Sequence, residues 1–183
     1  MELTTSKETI TNTSTIQIKK RDGRLEPLDI DKIHFVVEEA CEGLSGVSSS
    51  QIEINANIQF YDGMTTKEVQ QILVRSANDL ISLEAPNYQY AAARLLSYDV
   101  RKEAHGQYEY IPLLKLIMRN IRVGVYDKAI VEQFNKTEIK KMNTWIKRDR
   151  DLDFTYAGLR QVVDKYLVQD RSTGCLLYTS PSP

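Results

Sequence analysis

Positively charged side chains and helix starts occur together in the first part of the sequence. Lys20 and Arg21 occupy the tip of a predicted hairpin, and Lys32 lies in the first turn of a predicted helix. Lys102 lies near the end of another helix, and Thr66 places a hydroxyl at a further helix start. The free N–H groups of a helix N-terminus bind anions, and a first-turn cation opposes the helix dipole unless an anion is near. These residue types predict a phosphate site, although a solvated charged face with ordinary helix caps fits the same spacing.

The composition limits the classes of protein that fit. The 183 residues include 24 Lys plus Arg and 25 Asp plus Glu, and the net charge of −1 disfavours a strongly basic nucleic-acid binder. Two cysteines, Cys41 and Cys175, exclude a four-cysteine zinc site and a disulfide scaffold. No apolar run approaches the ~20 residues that span a bilayer, and the start lacks the apolar region of a secretory signal. We expect a cytoplasmic protein with no membrane partner and no nucleic-acid partner.

The hydrophobic pattern predicts the elements that position the charged residues. Residues 15–20 and 25–30 have the pattern of two short strands, and Asp22-Gly23 predicts a type I′ turn between them. Four helical periods follow, and the first begins at Asp31. A cap or a helix-starting residue marks the beginning of each of the other three, at Ser48, Thr65 and Pro86.

Changes in composition divide the chain into four parts. Residues 1–14 are polar and predict a flexible arm, and residues 15–106 hold the hairpin and the four helices. Residues 107–174 predict a second, helical unit. Its helical patterns cover 111–123, 137–146 and 156–163.

The last nine residues, 175–183, differ from the rest of the chain. They spell CLLYTSPSP and contain two of the five prolines. The codons TGT CTC TTA TAC ACA TCT CCG AGC CCA would encode them, and this run resembles the adapter of transposase-based sequencing libraries. We hypothesise that the gene is cut at Gly174 and that 175–183 is a sequencing-adapter artefact, which the source nucleotide sequence would test.

Several motifs resemble one known family. The run Ile18-Lys-Lys-Arg-Asp-Gly23, followed by Leu28-Asp-Ile-Asp-Lys-Ile33, resembles the ATP-cone, a nucleotide-sensing regulatory module. The second unit, at Asp149-Arg-Asp-Leu-Asp-Phe-Thr-Tyr156, resembles the start of the large (alpha) subunit of class I ribonucleotide reductase. The chain is therefore identified as an N-terminal fragment of this family. The resemblance implies a mainly α (α+β) fold, in which a four-helix bundle capped by a small β-hairpin precedes the start of an all-helical region.

The resemblance also implies which residues contact a nucleotide. Lys20 and Arg21 are expected at its phosphates or sugar, and Thr66 and Lys102 are expected to complete the pocket. Residues 26–32 are expected to line it, with Lys32 near phosphate. The expected lining residues are Glu26, Leu28, Asp29, Ile30, Asp31 and Lys32. In this family ATP, with Mg²⁺ expected beside it, keeps the enzyme active, whereas dATP switches it off by changing subunit association.

The resemblance places the chemistry elsewhere in the parent protein. The family reduces ribonucleoside diphosphates with cysteines of a large barrel that lies beyond this segment, so we expect no catalytic residue, redox cofactor or metal site here. Expected partners are the small di-metal radical-generating subunit and further copies of the large subunit. One alternative is a stand-alone nucleotide-sensing or oligomerisation module. Another is an ATP-cone transcriptional repressor, which residues 1–18 disfavour because they lack the cysteines of a zinc ribbon.

Overall fold

The fold is known from a computed structural model that describes residues 16–167. The predicted arm at 1–14 and the proposed artefact at 175–183 lie outside the described residues. Strands β1 (Gln17–Lys19) and β2 (Leu25–Pro27) form an antiparallel hairpin. Four helices follow: α1 (Ile30–Cys41), α2 (Ser49–Asn57), α3 (Thr66–Asp79) and α4 (Tyr88–His105). The prediction of a mainly α fold with a small hairpin is confirmed.

The loop of the hairpin differs from the prediction. A type I′ turn needs positive φ at both Asp22 and Gly23, but in residues 16–167 only glycines have positive φ, among them Gly23 at 86°. Instead, the Gly23 N–H donates to the Lys20 carbonyl at 2.9 Å, and the Lys20 N–H donates to the Arg24 carbonyl at 2.8 Å. The Asp22 carboxylate accepts the Arg24 N–H at 3.1 Å. This side-chain bond stabilises a longer loop in which only glycine needs the left-handed conformation.

The predicted helix caps are confirmed at two helices and wrong at a third. Ser48 caps α2, and Thr65 caps α3 through a reciprocal pair of bonds with Glu68. The first residue of α4 is Tyr88 rather than Pro86. Pro86 lies in the preceding turn, where its carbonyl accepts the Gln89 N–H at 3.1 Å. Proline thus directs the chain into α4 from outside the helix.

The core lies where α4 crosses the other helices. Val37, Ile52, Leu73 and Leu95 are buried to 2% exposure or less. On α4 the consecutive residues 91–93 are alanines with no exposed surface, and their small side chains let neighbouring helices approach closely. Burial of this kind contributes ~25 cal/mol per Å² of apolar surface, so these contacts of α4 stabilise the packing of the helices against one another.

The second unit contains more elements than the sequence predicts. Its helices are α5 (Leu113–Arg122), α6 (Ala129–Gln133), α7 (Lys136–Asn143), a 3₁₀ helix (Arg148–Asp153) and α8 (Tyr156–Lys165). α6 and the 3₁₀ helix were not predicted, because each is too short to show an apolar period. The helical pattern at 137–146 corresponds to α7, whose cap is Asn135, since the Asn135 side chain accepts the Thr137 and Glu138 N–H groups.

The last helix of the second unit packs on the first unit. Leu159 of α8 is 6% exposed and belongs to the same apolar cluster as Leu95 of α4, with Phe154 packed beside it. The two predicted units therefore share a core through α8, and the boundary at residues 106 and 107 stays a prediction. Within the described residues, no helix is both long enough and apolar enough to cross a membrane.

Candidate functional site

Two helix starts meet beside the hairpin because β1 is bonded to the turn before α3. The Lys19 N–H donates to the Met64 carbonyl and the Gly63 N–H donates to the Gln17 carbonyl, each at 2.8 Å. These bonds hold the first turn of α3 against β1. The other strand leads directly into α1, whose first turn begins after Asp29. The N-termini of α1 and α3 consequently both lie beside the hairpin.

An inner cavity of about 90 Å³ lies between these helix starts and the end of α4. Six of the ten predicted site residues line it: Lys20, Leu28, Asp29, Lys32, Thr66 and Lys102. Three of the six are lysines from three different elements. Apolar side chains from β1, α1 and α3 form the rest of the wall, among them Ile18, Val36 and Leu73. The cavity therefore combines a cationic rim with an apolar interior, as in most small-molecule sites.

A larger outer cavity of about 810 Å³ adjoins the inner one. The two cavities share Asp29, Lys32, Val36 and Tyr108. The outer cavity adds Asp31, another predicted site residue, and it has several aromatic walls and one further cation. These additional lining residues are Phe35, Tyr98, Arg101 and Tyr110. Its volume falls within the ~300–1,000 Å³ typical of ligand pockets.

Lys32 has a partner within its own helix turn. Its ammonium group lies 2.8 Å from the Asp29 carboxylate, which also caps α1 by accepting the Lys32 N–H at 3.1 Å. The ammonium lowers the pKa of the Asp29 carboxyl below its ordinary value, and the carboxylate raises the pKa of Lys32. The cap thus offsets the unfavourable position of this cation in a first turn, so Lys32 does not require an anion from outside.

Three predicted site residues lie outside the walls of both cavities. Glu26 forms an ion pair with Lys20 at 3.2 Å, which holds that lysine beside the inner cavity. The Arg21 guanidinium donates to the Lys102 backbone carbonyl at 3.2 Å and so joins the hairpin tip to the end of α4. Ile30 is 61% exposed. The family resemblance implied that these residues lie at the site, but it did not show which way their side chains point.

Gln70 and Tyr108 line the inner cavity, but the sequence did not predict them as site residues. Gln70 is 6% exposed, and its amide donates to the Leu95 carbonyl at 3.0 Å, which fixes it at the wall. It lies one turn after Thr66, so helical spacing could have shown it. Tyr108 has no such signal, since it lies in irregular chain after α4. The Lys102 ammonium donates to its hydroxyl at 3.1 Å.

Two further titratable groups are fixed on α1, away from the inner cavity. His34 bridges Glu53 of α2 at 2.8 Å and Glu38 at 3.2 Å, and the Glu53 contact raises its pKa. Burial raises the pKa of the Cys41 thiol to about 11. Among residues 16–167, no group of three or more His, Cys, Asp and Glu side chains is placed to hold a metal ion.

Comparison with known proteins shows the family of the chain. The family model described as the ATP cone domain matches residues 16–103, which contain the hairpin and the three lysines of the inner cavity. The sequence is also 45% identical over 157 residues to the ribonucleoside-diphosphate reductase 1 subunit alpha of Escherichia coli (strain K12), an alignment that covers 86% of this chain and 21% of that protein. The chain belongs to the ATP-cone-bearing family of ribonucleoside-diphosphate reductase alpha subunits.

Other relatives extend the similarity beyond the ATP cone. Identity is 40% over 159 residues to the ribonucleoside-diphosphate reductase subunit alpha of Haemophilus influenzae, covering 87% of this chain and 21% of that protein. It is 37% over 155 residues to the subunit alpha of Helicobacter pylori (strain J99), covering 85% and 19%. The chain spans about a fifth of the length of these relatives. The similarity therefore includes the second unit as well as the ATP cone.

Proposed function

We propose that the ATP cone of this chain binds ATP and dATP as allosteric effectors at the inner cavity. One observation supports this most: Lys20 and Lys102, from two separate parts of the fold, line one cavity beside the start of α3, and Lys32 lines it as an ion pair with Asp29. Ammonium groups and free helix N–H groups are both partners for phosphate oxygens. A triphosphate extends beyond a cavity of about 90 Å³, so part of the nucleotide would occupy the adjoining outer cavity.

The residues support a role for each part of the site. Lys20 and Lys102 are proposed to donate to phosphate oxygens, together with the Thr66 hydroxyl and the first-turn N–H groups of α3. Glu26 and Arg21 hold two of these groups in place through the Lys20 ion pair and the Lys102 carbonyl. Mg²⁺, which commonly binds through substrate phosphates and few protein carboxylates, would arrive on the triphosphate.

The proposal for the whole protein follows from the family. In the parent enzyme the reaction would be reduction of ribonucleoside diphosphates to deoxyribonucleotides, and this segment would regulate it without performing it. ATP would activate and dATP inhibit. The proposed partners are the small di-metal radical-generating subunit and further copies of the alpha subunit, in the cytoplasm.

Calorimetric titration of the chain with ATP and with dATP tests the binding proposal. Lys20→Ala should weaken binding, because each lost charged hydrogen bond to phosphate costs roughly 1–3 kcal/mol. Lys19→Ala is the matched control, since Lys19 is the adjacent lysine of β1, is exposed and does not line the inner cavity. Absence of binding heat with both nucleotides would refute the proposal, and equal losses in the two variants would show that the pocket is misplaced.

A further inference from the structure

The connecting segment, residues 106–112, lies against the end of α4 through two aromatic contacts. The Lys102 ammonium lies 4.6 Å from the ring centre of Tyr108, and the Arg101 guanidinium lies 4.5 Å from that of Tyr110. Both distances are within the ~6 Å range of cation–π attraction. Two consecutive cations of α4 thus hold two tyrosines of the connecting segment, and one of these cations, Lys102, lines the inner cavity.

A ligand in the inner cavity would also contact Lys102. Its ammonium group already donates to the Tyr108 hydroxyl at 3.1 Å. A phosphate oxygen is a stronger partner because it carries charge. An ammonium group has three N–H donors, so phosphate and Tyr108 would share it. Phosphate, as the stronger partner, would set the position of the ammonium group and with it the position of Tyr108, which lines both cavities. Occupation of the site therefore acts directly on the connecting segment.

Tyr110 joins the same segment to the second unit. The Arg148 guanidinium lies 4.6 Å from its ring centre, and its hydroxyl donates to the Asp151 carboxylate at 2.5 Å. Burial raises the pKa of Tyr110 to about 12, so the hydroxyl remains a donor at neutral pH. Arg148 and Asp151 belong to the 3₁₀ helix, and Phe154 directly after this helix packs against the shared core. The Tyr110 ring therefore contacts Arg101 of the first unit and Arg148 of the second unit.

We propose that the connecting segment transmits occupation of the nucleotide site to the second unit, with Tyr110 and Asp151 as the positioning pair that carries it. This inference rests on the proposed function. The pathway runs from Lys102 through Tyr108 to Tyr110, and from there to the 3₁₀ helix. Helix α8 follows the 3₁₀ helix directly in the chain and packs on α4. A shift of the 3₁₀ helix would therefore also shift α8. Coupling of this kind requires an element whose arrangement both sites bias. In this proposal that element is the connecting segment, which contacts Lys102 through Tyr108 and Arg148 of the 3₁₀ helix through Tyr110.

The single tryptophan of the chain gives a reporter in the second unit. Trp145 lies between α7 and the 3₁₀ helix and is 64% exposed. In the full chain, saturation with ATP should change Trp145 emission at the concentrations that give calorimetric heat. Asp151→Ala should keep the ATP heat but lose the emission change. Asp151→Asn should restore it, because an amide oxygen still accepts from the Tyr110 hydroxyl.

A control separates coupling from simple loss of structure. Asp149→Ala removes an exposed carboxylate from the same 3₁₀ helix and should retain the emission change. If ATP gives heat but no emission change in the wild type, or if Asp151→Ala retains the change, the coupling inference alone is overturned. If neither ATP nor dATP gives heat, the proposed function fails and the inference fails with it. Far-UV circular dichroism of Asp151→Ala should match that of the wild type.

Discussion

Replacement of Lys102 by alanine tests the site most directly, because this lysine has one role toward a ligand and another toward the fold. Its ammonium group lies at the wall of the inner cavity and donates to the Tyr108 hydroxyl at 3.1 Å. Its backbone carbonyl, which accepts from Arg21, is untouched by the change. The variant therefore removes one charge from the cavity and leaves the attachment of the hairpin tip intact.

Loss of the ligand contact should change the affinity for ATP, and loss of the Tyr108 contact should change Tm by a smaller free energy. A hydrogen bond to a charged group contributes about 1.5–3 kcal/mol, and a partly exposed lysine belongs at the lower end of that range. Loss of about 1.5 kcal/mol corresponds to about a tenfold weaker affinity for ATP. The contact with Tyr108 is a cation–π interaction of about 0.5–1 kcal/mol. In a protein of this length its loss should lower Tm by about 1–4 °C.

Calorimetric titration with ATP and thermal unfolding of the same samples measure both effects. The matched control is Lys67→Ala, which removes an exposed lysine of α3 that pairs with Glu103 at 3.3 Å and does not line either cavity. The affinity for ATP should be weaker for Lys102→Ala than for Lys67→Ala at equal salt, because Lys102 lines the cavity whereas Lys67 is exposed and paired with Glu103, and salt screens exposed charges. Equal affinities for the two variants would refute the assignment of Lys102 to the phosphate site.

Three further changes test the fold and its titratable groups. Leu95→Ala, at a position with no exposed surface, should reduce the free energy of unfolding by about 2–5 kcal/mol in urea titration; a loss below about 1 kcal/mol would contradict the placement of α4 at the centre of the core. The bridge from His34 to its two glutamates raises the histidine pKa, so its contribution to stability is full below the unfolded value of about 6.5 and disappears as pH rises through the higher folded value. The Tm difference between wild type and His34→Gln should therefore be larger at pH 5.5 than at pH 9 (test pH values of about 1–2.5 units on either side of the unfolded pKa), and a constant difference would show that the bridge does not form. Cys41, with its pKa raised from 9.0 to about 11 by burial, should have about 100-fold less thiolate than an ordinary thiol at neutral pH. In a Cys175→Ser background, iodoacetamide should alkylate Cys41 much more slowly in the folded than in the urea-unfolded chain, and equal rates would place the thiol in solvent.

The local sequence determined most of the elements and many of the site residues. Helix α1 and the caps at Ser48 and Thr65 depend on side chains that lie within four residues of each other in the sequence. A short stretch of sequence is therefore enough to predict them. Lys20 and Lys102 were proposed from motifs, and both line the inner cavity. The short helix α6 and the 3₁₀ helix escaped prediction because five or six residues carry too little periodicity.

Only the tertiary structure decided which charged groups share a cavity and which do not. Lys20, Lys32 and Lys102 line one cavity because α1, α3 and α4 pack in one core and the hairpin is bonded to the turn before α3 and to the end of α4. No local pattern encodes contacts between residues so far apart in the chain. The same packing directs Arg21 to a helix carbonyl and leaves Ile30 in solvent. It also brings α8 back onto α4, where Leu159 joins the core of the ATP cone. The types of residue that could bind phosphate were therefore determined by the sequence. Their meeting at one cavity depended on contacts between distant elements, which form only in the folded chain.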